Sequence, residues 1–158
     1  MSIKITLDPG DLGDARSVLR ALAADETAQL IANAAGESYR DDTLDWIAAG
    51  KSFTPRNGGA GLEGAIQSLP FPGGAEVSAS KNYAGFVEFG TGPHVIKPKS
   101  DREGLKRNVP GGGYVLKREI HHPGSKPYPY FFADMAAREA SMLAAARSVL
   151  ASVMAEAA

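Results

Sequence analysis

The chain has no cysteine, and that absence removes disulfides, zinc–cysteine sites and thiol nucleophiles together. It also lacks an excess of either charge. Seventeen basic residues stand against eighteen acidic ones, so it is not the strongly basic kind of protein that neutralises many phosphates at once. No run approaches the ~18 consecutive apolar residues of a membrane span. The start, Met1-Ser2-Ile3-Lys4-Ile5-Thr6-Leu7, lacks the apolar core of a signal peptide. A soluble, cytoplasmic protein with no membrane partner is expected. The 158 residues, 44% apolar and 22% charged, suit one ordinary domain, 1–158, with a single core.

Ile3, Ile5 and Leu7 alternate with polar residues, the period of a half-buried strand, and Asp8-Pro9-Gly10-Asp11 ends it as a turn. Apolar positions from Leu12 to about Ala35 suit one or two helices, with Glu26 placed for the first turn of the second. Asp41 to Ala49 reads as another short helix, closed by Gly50. Leu62 to Leu69 is predicted as a helix of about two turns, stopped by Pro70 and Pro72. Glu76–Ser80 and Tyr83–Phe89 are predicted as strands joined through Lys81-Asn82. Gly90 to Gly113 has no sustained periodicity and is predicted to be a long loop, mobile in the free subunit. Tyr114 to Ile120 reads as a third strand, and His121 to Pro129 as a second loop stiffened by its prolines. From Tyr130 to Ala157 the Ala-rich chain predicts a long helix. Phe131, Met135, Met142, Ala146, Val149, Val153 and Met154 lie near one stripe, with Arg138, Glu139 and Arg147 off it. The expected fold class is α+β: a small, mostly antiparallel β-sheet with packed helices, a long C-terminal helix and two extended loops.

Chemistry has little to build on. No G-x-S-x-G elbow occurs. Gly111-Gly112-Gly113 lacks the Gly-Lys-Ser/Thr of a phosphate loop and reads as a hinge. His94, His121 and His122 with Glu119 or Asp134 are the only candidate metal set. Adjacent histidines on an extended segment face opposite ways, which disfavours one shared ion. No catalytic residue, metal site or cofactor is therefore expected. Lys97, Lys99, Arg102, Lys106 and Arg107 form a basic strip, diluted by Asp101 and Glu103, and Lys117, Arg118 and Lys126 are candidates to join it in space. Three readings stand open: a solvated loop, contact with an acidic partner surface, or contact with passing DNA, which would be non-specific and salt-sensitive. Aromatics interleaved with the basic residues, as single-strand binders use, are missing from that loop. Glu88 among apolar residues is either a solvated residue on the outer sheet face, a cap for the Gly90–Gly92 turn, or a partner for an arginine of the next subunit. The low-charge end of the last helix, from Val149 onward, fits either the core or another subunit.

Three segments carry a family resemblance. Tyr83-Ala84-Gly85-Phe86-Val87-Glu88-Phe89-Gly90-Thr91 resembles the Y-A-x-x-V-E-F-G-T signature of the tail-completion (head–tail joining, minor tail) proteins of long-tailed bacteriophages. Phe53 to Arg56 followed by Gly61 to Ile66 is similar to that family's F-x-x-R-T-G-x-L-x-x-S-I, with Asn57-Gly58-Gly59-Ala60 replacing Thr-Gly. His122-Pro123-Gly124-Ser125-Lys126-Pro127, then Tyr130-Phe131-Phe132, resembles the H-P-G-x-x-P-x-P-F-L stretch before its last helix. The likeness runs from 53 to the C-terminus and is strongest over 53–140. It implies a non-enzymatic virion protein at the neck, assembled in host cytoplasm. Its partners would be itself in a ring, with six copies from the tail's symmetry, the connector or adaptor, and the tail-tube or tail-terminator protein. The expected inter-subunit surfaces are the two loops. The first includes Glu88, Gly90, Thr91, Gly92, His94 and the basic strip; the second includes His121, His122, Pro123, Gly124, Lys126 and Pro127.

Overall fold

The computed structural model describes residues 17–54, 61–99 and 103–157. The strand expected at Ile3–Leu7, its turn and the start of the following helix lie outside them, as does Arg102. The described chain divides into two compact units, one of 17–82 with 130–157 and one of 83–129.

In the first unit a helical segment, α1 (17–22), is followed by α2, Asp25–Ala48. The helices expected before Ala35 and after Asp41 are one continuous helix here. Its first turn carries Asp25 and Glu26, which suit the positive end of the helix dipole. Gly50, at φ +67°, takes the left-handed turn just beyond it. Tyr39, Thr43 and Ile47 are buried at four-residue spacing, the helical period. The Thr43 hydroxyl donates to the Tyr39 carbonyl at 2.8 Å, so its burial leaves no lone donor.

Two expectations change at the next segment. Leu62 to Leu69 is not a helix: one 3₁₀ turn, Glu63–Ala65, leads into strand β1, Ile66–Phe71, which pairs antiparallel with β2, Gly74–Ala79. Pro70 disfavours helical backbone at Leu69, and Pro72-Gly73 makes a hairpin turn, with Gly73 at φ +81°. The hairpin bend therefore lies at 72–73 and not at Lys81-Asn82. It is seated on α2 by Gln29, whose Oε1 accepts from Gly73 N–H at 3.2 Å and whose Nε2 donates to the Gly74 carbonyl at 2.9 Å. Gly36 permits the close approach: a methyl group there would stand 2.9 Å from Ala75 Cβ and 2.6 Å from Ser68 Oγ.

The last helix, α4, spans Met135–Ala157 and starts later than Tyr130. Residues 131–134 form a turn in which Asp134 has φ +49°, a conformation an aspartate tolerates better than most. Along α4 the less exposed residues are 138, 141, 142, 145, 146, 149, 150, 153 and 157, one helical stripe packed along α2. Ser17 Oγ bonds the Ala157 carbonyl at 2.8 Å, while Tyr39 reaches Phe131 and Met135, so α2 and α4 run antiparallel. Arg138 was expected off the stripe. It is instead the most buried residue of α4, 2% exposed, donating to the carbonyls of Tyr130, at 2.6 Å, and Phe131. Met135 and Met154, expected on the stripe, are exposed. By length and composition α4 is also apolar enough to cross a membrane. Tyr130 and Ile47, each 1% exposed, are the centre of this unit's core with Leu62, Ala65 and Ile66.

The second unit holds α3, Ala84–Phe89, and four short strands: β3 (His94–Ile96), β4 (Leu105–Asn108), β5 (Tyr114–Lys117) and β6 (Ile120–His122). β3 pairs with β6 and β4 with β5, both antiparallel. The expected strand at Tyr83–Phe89 is a helix. The run satisfies either period, and burial of Ala84 with Glu88, four residues on, decides for the helical one. Gly90–Gly113 is not structureless, since β3 and β4 lie inside it. The strand expected over Tyr114–Ile120 divides in two, its halves serving different partners. With three two-stranded antiparallel ladders and α2 and α4 packed together, the fold is α+β.

Candidate assembly interface

The structure joins the two loops that the sequence singled out. Thr91 and Ser125 exchange backbone hydrogen bonds, each 3.0 Å. Thr91 Oγ1 also accepts from Ser125 N–H at 3.0 Å and lies 3.2 Å from Ser125 Oγ. One turn earlier, Tyr128 N–H donates to the Val87 carbonyl at 2.9 Å. Two glycines make this approach possible. Gly90 has φ +72° and Gly124 φ +92°. A side chain at Gly90 would strike the Ser125 carbonyl, and one at Gly124 the Thr91 carbonyl. Both positions thus need glycine for conformation and for space.

The histidines take up the same pairing. His94 faces His122 across β3 and β6, and their rings stack with centroids 5.0 Å apart. His94 Nδ1 lies 3.0 Å from the Gly92 carbonyl, and His122 Nδ1 accepts from Gly124 N–H at 3.0 Å. His121 turns the other way, its Nε2 3.2 Å from Glu119 Oε1. Pro123 and Pro127 flank the Ser125 contact, and among the described residues no three His, Asp or Glu side chains converge as a metal site does.

Of the readings open for Glu88, the solvated one does not hold. The residue is 5% exposed, because the helical turn carries it to the Ala84 side. The large side chains that the turn leaves outside are aromatic: Tyr83, Phe86 and Phe89, the last two 62% and 69% exposed. Their three-residue spacing puts them along one side of α3. Read as a strand, the same run hides that stripe; read at helical spacing, it is visible in the sequence.

The basic residues gather on the β4–β5 hairpin. Lys97, Lys99 and Lys106 line an open recess of about 650 Å³ with Glu103, Leu105 and Leu116. The pairs Leu105–Lys117 and Arg107–Val115 share one face of the hairpin, and Lys106–Leu116 and Asn108–Tyr114 share the other. Lys106 Nζ sits 3.9 Å from the centre of the Tyr114 ring, and Lys126 Nζ 5.3 Å from that of Tyr128. An aromatic thus does accompany the basic strip, supplied by the pairing strand and not by the loop itself. Tyr114, Val115 and Leu116 are all exposed, and no local period marks their strand as bare on both faces.

No protein-family model, curated protein or solved structure matches the chain.

Proposed function

We propose that this protein is a structural, non-enzymatic subunit of the head–tail junction of a long-tailed bacteriophage. It works there through protein–protein contacts in a ring, set between the connector and the tail tube. The observation that carries the reading is the interlock of Thr91 with Ser125. The two segments with the strongest family likeness, which start at Tyr83 and His122, are tied together by reciprocal backbone hydrogen bonds. Rigid loops lose less entropy on docking, which favours an assembly contact. The exposed stripe of Tyr83, Phe86 and Phe89 agrees, since interface cores are enriched in aromatics.

The test is deletion of the coding region from the phage genome that carries it. Filled heads and separate tails, with joined particles restored by supplying the chain, are expected in micrographs. Joined particles without it would overturn the proposal.

A second reading, a non-specific nucleic-acid-associated module, draws on the cation–aromatic pair Lys106–Tyr114. It requires binding to random-sequence DNA with a steep salt dependence. Absence of binding at low salt would remove it.

A further inference from the structure

The β4–β5 hairpin has only four residue pairs, and no residue of β5 is covered on either side. A two-stranded hairpin of this length is marginal by itself in water, so a partner surface would stabilise it. The charge distribution names that partner. The described residues of the second unit carry seven Lys and Arg, all exposed, against three Asp and Glu. Those of the first unit carry six against eleven, and α2 accounts for the whole excess, with six acidic residues and Arg40 alone opposite. The chain is thus charge-complementary to itself: one unit has an excess of four positive charges and the other of five negative.

The acidic side has a shaped place to receive a basic strand. The C-terminal half of α2 and the start of α4 enclose a recess of about 310 Å³, whose charged lining is Asp42, Asp45 and Asp134 with Lys51 and Arg138, beside Trp46. Of the resident cations, Lys51 Nζ lies over the Trp46 ring, 4.6 Å from its centre, and Arg138 donates to the Tyr130 and Phe131 carbonyls. Trp46 Nε1 is buried and has no acceptor, a donor that a strand-edge carbonyl would satisfy. Arg40 is committed elsewhere, 2.5 Å from Glu37 and 2.7 Å from Asp41, and the Asp41 hydrogen bond raises its pKa further. Asp42 and Asp45 therefore remain for an incoming partner.

We infer that the β4–β5 hairpin of one copy docks on the acid-rimmed α2–α4 recess of a second copy, a head-to-tail contact. Arg107 and Lys117, which share one face of the hairpin, meet Asp42, Asp45 and Asp134, and a hairpin carbonyl accepts from Trp46. Such a contact is heterologous, the kind that propagates into rings. This deepens the assembly reading and rests on it.

Sedimentation of the full chain tests the inference at low and high salt. The wild type should associate with rising concentration at low salt and dissociate at high salt. R107E/K117E and D42K/D45K should each weaken association by about tenfold or more, with circular dichroism confirming that both fold. An equimolar mixture of the two variants should associate again, because each supplies one unaltered surface to the other. A wild type that stays monomeric at low salt would overturn the contact. So would association that neither variant disturbs, although that result leaves the head–tail reading standing through a different surface. Failure of the head–tail reading would show instead as joined particles in the deletion phage.

Discussion

Thr91 and Ser125, separated by 34 positions, are held together by a reciprocal pair of 3.0 Å backbone hydrogen bonds. That contact unites the two loops and depends on glycine at both of its shoulders.

Gly90→Ala and Gly124→Ala should therefore each destabilise the second unit by on the order of 2 kcal/mol or more, from positive-φ strain together with collision against a backbone carbonyl. Hydrogen exchange reports it directly. Protection at the Thr91 and Ser125 amides should fall sharply, while α2 keeps its own. Unchanged protection would mean that the loops are joined by something other than this approach.

Arg138 is the anchor of the turn before α4. Its guanidinium donates to two carbonyls and lies 5.1 Å from the Tyr39 ring centre. Arg138→Met keeps the volume and leaves both acceptors buried, at a cost of about 2–4 kcal/mol in urea denaturation. Arg138→Lys should recover only part of that, since a single ammonium cannot reproduce the fork. Full recovery by lysine would show that charge alone matters there.

Two glycines in helices should respond with opposite signs. Gly36→Ala meets the rigid Ala75 Cβ at 2.9 Å, so overpacking of about 1–3 kcal/mol outweighs the gain in helix propensity of about 1 kcal/mol. Gly85, in α3, has open space around it, and Gly85→Ala should stabilise by about 0.5–1 kcal/mol. Thermal melts of the two variants check both signs.

Phe86→Ser and Phe89→Ser remove exposed aromatics and should change stability by less than about 0.5 kcal/mol. If the stripe is an assembly surface, the same changes should abolish rescue of joined particles by the supplied chain. Rescue at the wild-type level would exclude the stripe from assembly.

Much of the molecule was legible from local pattern. The α+β class, the acidic start of α2, the stop at Gly50, the strand near Glu76–Ser80 and the long apolar last helix all follow from period, caps and propensity. The motif segments also stood out, as did the opposed directions of His121 and His122. What failed was local ambiguity. Ala84–Phe89 fits two periods, and Leu62–Leu69 contains helix formers ahead of a proline. The strand halves Tyr114–Lys117 and Ile120–His122 carry no mark of their separate partners.

The sequence by itself determined the absence of thiol chemistry, the fold class and the glycine-bearing segments Tyr83–Thr91 and His122–Pro127, because those depend on residue types and short-range spacing. Only the tertiary structure decided that the loops interlock, that Arg138 is buried and that Glu88 faces inward. It alone gathered the acidic excess on α2 and the basic one on a bare hairpin. The reason is physical: hydrogen-bond partners and burial are set by residues distant in the chain, and no local period encodes which distant segment will arrive.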